Sequence, residues 1–257
     1  MHSILRSPNS PGLCPGGEFL AGDFSAVYAL AHRLKASSLA GASGNKPLLG
    51  KNIALLRLRP PEAEMSTLHR AAMDLGARVA HVRLGSPIEP GGTRFRNLSQ
   101  MLGRLYDAVD CSSLTPAEVR QIEQHAGVTV YDDLESVDHP MRALADLMTL
   151  REHGCAPGTN AQIAFLGDPL SKRAGNFFRL ARDAGIRLRE ADPSGTAGDT
   201  DFLVDALDAD HWVLHAPSGP IDAVECSDNH RFALQAMLLI TSVAEGLKTG
   251  PAPGDAA

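Results

Sequence analysis

The side chains best suited to chemistry stand just after short apolar runs. His139 directly precedes Pro140, and Arg142, Asp146, Thr149 and His153 then fall on one polar stripe of a helix predicted over 140–153. A histidine at a helix start faces unpaired amides and the positive end of the dipole, a place that favours an anion or a polarised carbonyl. The plainer alternative is that His139 caps the helix and touches solvent. Three further loops follow predicted strands: Arg59-Pro60-Pro61-Glu62, Gly167-Asp168-Pro169 and His215-Ala216-Pro217. In doubly wound sheets ligands bind beyond the carboxyl ends of the strands, so these loops and 132–139 are where chemistry would sit.

The same loops exclude several classes. Gly167-Asp168 lacks the spaced glycines of a dinucleotide-binding turn, and Ala216 offers no nucleophile beside His215. His211 and His215 share a strand face, but Trp212 and Val213 between them argue for packing. No histidines or acids recur at zinc-type helical spacing, so neither a metal nor a cofactor is expected.

The elements that would position these residues read as alternating strands and helices. Strands are predicted at 53–58, 79–84, 106–111, 128–131, 162–166, 186–189 and 212–215. Between them, Met65, Leu68, Ala72 and Leu75 recur at helical spacing, as do Phe95, Leu98, Leu102 and Leu105, and Phe177, Leu180, Ala181 and Ala184. Thr115-Pro116-Ala117-Glu118 is a helix start with a capping box. An early helix is predicted around 24–35 and a long one over 229–247. Strands alternating with helices imply mainly parallel sheets covered on both faces, restarting as a second unit past residue 154.

At 257 residues, with 44% hydrophobic and 21% charged residues, the chain can form one large or two modest soluble α/β domains. There is no apolar run of about eighteen residues, so no membrane partner is expected. A formal charge of −6 argues against nucleic acid. Cys14, Cys111, Cys155 and Cys226 form no close pair and follow no secretory signal, which points to a reducing, cytoplasmic setting.

Several stretches together resemble the aspartate and ornithine carbamoyltransferase family, nearer its ornithine branch. They are Leu48 to Leu56, Met101-Leu102-Gly103-Arg104-Leu105-Tyr106-Asp107-Ala108, and the specific run His139-Pro140-Met141-Arg142-Ala143-Leu144-Ala145-Asp146-Leu147. Weaker echoes lie at 163–168 and near Asn229, so the resemblance spans roughly 18–247. It implies an α/β fold of two Rossmann-like lobes with parallel sheets, the second shortened, and a homo-oligomer, a trimer. The implied division is a loose tail over 1–18, a carbamoyl-phosphate-type lobe over 19–138 with the terminal helix 229–247, a connecting helix over 139–153, an amino-acid-type lobe over 154–228, and a loose tail over 248–257.

The resemblance also shows what is altered. The family holds carbamoyl phosphate with a Ser-Thr-Arg-Thr-Arg loop, where this chain has Pro61, Glu62, Ala63, Glu64 and Met65. A carboxylate about 4 Å from a phosphate charge is repelled by roughly 1–4 kcal/mol in wet surroundings. The arginine expected after the third strand falls at Ser112, the glutamine of the His-Pro-Thr-Gln motif is Arg142, and the cysteine expected after His215 is missing. The arginine of the terminal helix falls at His230 or Arg231.

The implied site is therefore His139 as the catalytic residue, with Arg142, Asp168, His215 and Arg231 as substrate-binding residues and no metal. The expectation is an ornithine carbamoyltransferase-like chain that has lost carbamoyl-phosphate-dependent catalysis. It would act as an oligomeric binding or regulatory subunit with an amino acid or small anion as ligand. The alternative is an active carbamoyl- or acyltransferase acting on an amino acid, its anion site rebuilt from His139 and Arg142 with Arg94 or Arg96. Against that rescue, Arg142 on a solvated stripe would simply pair with Asp146 one turn away.

Overall fold

The computed structural model describes residues 21–41, 46–57, 65–84, 92–112, 114–191 and 202–246. Both expected tails and Pro61 to Glu64 lie outside them. The first sheet comprises β1 (Asn52–Arg57), β2 (Arg78–Arg83), β3 (Ala108–Cys111) and β4 (Thr129–Tyr131), in the order β2-β1-β3-β4 with every pairing parallel. Period-two alternation sends Ile53 and Leu55 of β1 to one face and Ala54 and Leu56 to the other. The first face packs with α1 (Ala21–Leu39) and α2 (Thr67–Asp74) in the main core. The second meets Phe95 and Leu102 of α3 (Thr93–Leu105) and Val119 and Ile122 of α4 (Pro116–Ala126). The expected capping box opens α4: Glu118 N–H donates to Thr115 Oγ1 at 3.3 Å and Thr115 N–H to Glu118 Oε2 at 2.7 Å.

The second sheet comprises β5 (Gln162–Gly167), β6 (Arg187–Glu190), β7 (Phe202–Ala206), β8 (Val213–Ala216) and β9 (Gly219–Pro220), in the order β6-β5-β7-β8-β9. Here the parallel expectation holds only for β6, β5 and β7, because β8 and β9 run antiparallel. The reason is chain length. Only residues 207–212 join β7 to β8, whereas a crossover returning to the same end of a sheet needs about a dozen or more residues. Strand β7 was not among the sequence-derived elements, although Phe202, Val204 and Ala206 alternate as buried positions within it.

Two helices join the lobes. In α5 (Pro140–Glu152) every residue from Met141 to Leu150 is buried except Arg142, so the helix is apolar nearly all round and belongs to the core of both lobes. Helix α7 (Ala223–Gly246) packs along it, and α6 (Lys172–Asp183) closes its other side. Helix α7 starts six residues before the predicted boundary at Asn229, because Asp222 Oδ1 accepts from Val224 N–H at 2.8 Å and acts as its cap. Asn229 and His230 therefore face the core from within the helix.

The stripe on α5 is solvated only at its ends, Arg142 and His153. Asp146 and Thr149 are fully buried, and the far end of the stripe is tied into a network across three helices. Asn229 Nδ2 donates to Thr149 Oγ1 at 2.9 Å and to Glu152 Oε2 at 2.8 Å, and Lys35 Nζ of α1 donates to Glu152 Oε2 at 2.6 Å.

The Leu102-Gly103-Arg104 run has a packing explanation. A β-carbon on Gly103 would lie 1.7 Å from the carbonyl oxygen of Ala126, so α3 and α4 touch backbone to backbone there. Gly103→Ala is expected to destabilise the protein by about 1–3 kcal/mol or more through overpacking, read as a lower urea midpoint at unchanged slope.

Candidate functional site

The carboxyl edge of the first sheet gathers Arg57 from the end of β1, Asp110 from β3 and Ser112 just after it, and Asp132, Asp133 and Glu135 from the turn after β4. Glu135 Oε2 accepts from Arg57 Nη2 at 2.8 Å, and its Oε1 accepts from the backbone N–H of Leu68 at 2.9 Å. Leu68 lies in the first turn of α2, whose amides have no partner within the helix. The chain's own carboxylate thus takes the guanidinium and the helix amide that an oxyanion at this edge would use.

Asp110 stands behind that pair, fully buried. Its Oδ1 accepts from Leu134 N–H at 2.9 Å, while Oδ2 is without a hydrogen-bond partner. Burial pushes the Asp110 carboxyl up to about 7, and the Asp133 and Glu135 charges add to it, against the Leu134 amide and Arg57. Burial also raises the Asp133 carboxyl, and Asp133 sits at φ 52°, a backbone region that favours glycine. Three carboxyl groups, Asp110, Asp133 and Glu135, therefore share the Arg57 guanidinium at the edge where the resemblance places a phosphate, while Asp132 beside them faces Lys172.

The second constellation lies where the lobes meet. His139 caps α5, its Nδ1 accepting from Met141 N–H at 3.2 Å, which leaves the ring proton on Nε2. Burial, and then the Lys172 charge, hold this imidazole down to about 4, so it is neutral at ordinary pH. Arg142 Nε lies 3.7 Å from Asp146 Oδ1, close enough for an ion pair but too long for a hydrogen bond. Arg173, from the first turn of α6, donates from Nη2 to Asp146 Oδ2 at 2.9 Å and lies flat on Trp212, with Cζ 4.0 Å from the ring centroid. His230 of α7 is buried beside these groups; burial first, then Arg142, His139 and Arg173, push it down to about 3.

The expected site residues separate accordingly. His139 and Arg142 meet at the junction. Arg231, adjacent to His230 in sequence, turns away from it: the guanidinium contacts Asp74 of α2 and Asp228 and lies over Phe232. Asp168 is at the carboxyl edge of the second sheet, but it is exposed and its Oδ1 accepts from Leu170 N–H at 2.9 Å within its own turn. His215 is carried to the other end of that sheet. In the antiparallel register it pairs with Leu203 near the start of β7, while Val213 pairs with Asp205 near the carboxyl edge. The strand reversal thus exchanges His215 for Trp212 at the site. Arg94 and Arg96 lie exposed on α3.

Sequence reasoning missed Glu135, Asp110 and Arg173. For Arg173 a signal existed: it falls four residues before Phe177, on the apolar face of α6, where an arginine must be buried. Among the described residues no group of three or more His, Cys, Asp or Glu could hold a metal ion, and no helix is long and apolar enough to cross a membrane. Cys111, Cys155 and Cys226 are buried and unbridged, and burial pushes the thiols of Cys155 and Cys226 up to about 11.

Comparison with known proteins gives the same framework. A family model described as the aspartate/ornithine carbamoyltransferase carbamoyl-P binding domain matches residues 17–152. A catabolic ornithine carbamoyltransferase of Burkholderia mallei is 30% identical over 174 residues, covering 68% of this chain and 52% of the relative. One from Clostridium perfringens is 30% identical over 189 residues, covering 72% and 55%. The chain thus spans about half the length of these curated relatives. Among solved structures, ornithine carbamoyltransferase from Thermus thermophilus superposes with a TM-score of 0.62 at 20% identity, covering 87% of this chain and 96% of that one, which shows the shared fold. With the parallel first sheet, the His139 helix start and a family match over more than half its length, the chain belongs to the aspartate/ornithine carbamoyltransferase family.

Proposed function

We propose that this chain is a carbamoyltransferase-family protein without carbamoyl-phosphate-dependent catalysis, serving as an oligomeric binding or regulatory subunit. The observation that carries the reading is Glu135, whose carboxylate holds both Arg57 and the Leu68 amide at the first lobe's carboxyl edge. An incoming phosphate would have to displace it and lie among Asp110, Asp132 and Asp133 as well. His139 keeps a geometry suited to donating from Nε2 to a carbonyl, but without a held donor it has nothing to polarise. The amino-acid half is also incomplete, because His215 lies at the opposite end of its sheet. For assembly, α3 exposes Met101 and Leu105 beside Asn97, Gln100 and Arg104, an apolar strip that supports contact with further copies of the chain.

A second reading, an active transferase with a rebuilt anion site, draws on the two guanidinium groups of Arg142 and Arg173 at the junction. Incubation with carbamoyl phosphate and ornithine separates the two. The expected result is no citrulline above a His139→Ala control, and product above that control overturns the non-catalytic reading. Light scattering of the eluted protein is expected to give three chains per particle; a monomer contradicts the oligomeric part.

The crowded edge also has a pH signature. Between the ordinary carboxyl value of 3.8 and about 7 the folded chain keeps a proton on Asp110 that the unfolded chain has released, so this group's contribution to stability falls as pH rises through that window. Asp110→Asn removes the effect. Measured by urea unfolding at about pH 4 and about pH 8, the stability difference is expected to move in the variant's favour by roughly 3–4 kcal/mol. A pH-independent difference would show that Asp110 ionises normally. His139 and His230 act with the opposite sign: below 6.5 the unfolded chain takes up protons that the folded chain refuses, so stability is lost as pH falls.

A further inference from the structure

We infer that Arg142, Arg173 and His230 form a binding site for a small oxyanion, a carboxylate or a phosphate, at the junction of the two lobes and separate from the edge filled by Glu135. The inference rests on the reading above and deepens it by naming the class of ligand that a non-catalytic subunit of this kind would hold.

The argument starts from unmatched hydrogen-bonding capacity. Among the described residues, the buried side-chain nitrogens without a hydrogen-bond partner are Arg142 Nε, Arg173 Nε, Arg173 Nη1 and His230 Nε2, and all belong to this one cluster. Arg173 and His230 are only 2% and 3% exposed. Buried donors are normally satisfied, and buried charges normally balanced. Here two guanidinium groups share the single carboxylate of Asp146, so one positive charge is left over. Water could fill the hydrogen bonds, and an anion would in addition balance the second guanidinium.

The surroundings select the same chemistry. The N-terminal ends of α5 and α6 come together, with Asn176 Nδ2 donating to the carbonyl of Asp138 at 2.9 Å, so both positive helix ends converge. Lys172 stands at the start of α6 and acts on His139. Trp212 lies against the Arg173 guanidinium, with Cζ 4.0 Å from the ring centroid, and limits where its free nitrogens can turn. Other ionisable groups nearby are Asp146, already paired with Arg173, Cys226, whose thiol burial keeps protonated, and Glu225, which pairs with His153. Arg142, whose side chain is 26% exposed, is the solvent-facing member of the cluster. An oxyanion with two or more oxygens matches fork-shaped donors on two arginines.

The test is thermal unfolding of the full chain in inorganic phosphate, succinate or acetate, with chloride as the ionic-strength control. A saturable rise in Tm with phosphate or with a carboxylate is expected, and the anion that saturates at the lower concentration identifies the source. Arg142→Gln is expected to weaken the effect at least tenfold and Arg173→Met to abolish it, while Arg120→Gln on the exposed face of α4 leaves it unchanged. If Arg173→Met does not fold, Arg142→Gln decides, together with the imidazole resonances of His230, which should move on phosphate addition in the native chain and not in Arg142→Gln. No saturable shift up to about 50 mM, or equal shifts in Arg142→Gln and Arg120→Gln, overturns the inference. Its failure leaves the absence of citrulline untouched, and citrulline formation would sink the non-catalytic reading whatever phosphate does.

Discussion

The junction of the two lobes depends on one buried carboxylate. Asp146 sits in the middle of a helix that is otherwise apolar on nearly every side, and a lone charge there would be costly enough to exclude the arrangement. Arg173 reaches it from α6 and Arg142 approaches from its own helix, so α6 is held to α5 by a directional contact as well as by packing. The same contact orients Arg173 against Trp212, and Trp212 stands at that place only because the strand after it runs backwards. The short connection before β8 thus sets where its residues lie, with His215 at the end of the sheet away from the carboxyl edge and Trp212 at the junction.

The first lobe illustrates how fold and chemistry can part. Its parallel sheet, its buried alternation and its capping box satisfy the same packing rules as any doubly wound domain, and none of them requires a phosphate to be present. At the carboxyl edge, however, the charges have been rearranged so that Glu135 satisfies Arg57 and the start of α2 from within the chain. An internal anion needs no ligand and resists exchange for one. On our proposal, the fold keeps the address of a donor site while the side chains close it.

Much of this was legible beforehand. The family and the strand-helix alternation followed from runs such as Leu102-Gly103-Arg104 and His139-Pro140, whose spacing reflects local geometry: a backbone contact at Gly103 and a helix cap at His139. Helix α4 was fixed by Thr115 and Glu118 alone. What escaped was non-local. Whether β8 runs parallel depends on the length of the link before it, and whether His230 or Arg231 faces the junction depends on a helix start set by Asp222. Glu135 read as one acid in a polar turn, because its partners lie at Arg57 and Leu68, far away in sequence. The stripe on α5 looked solvated since nothing in its own sequence says that α6 and α7 cover it. Pro61 to Glu64, on which the sequence argument for a lost phosphate loop rests, lie outside the described residues.

The most direct test is a crystal structure of the full chain soaked in phosphate. The account predicts an anion against Arg142, Arg173 and His230, with Glu135 still bonded to Arg57 and to the Leu68 amide. An anion on the Leu68 amide with Glu135 swung away, and none at the junction, would contradict it.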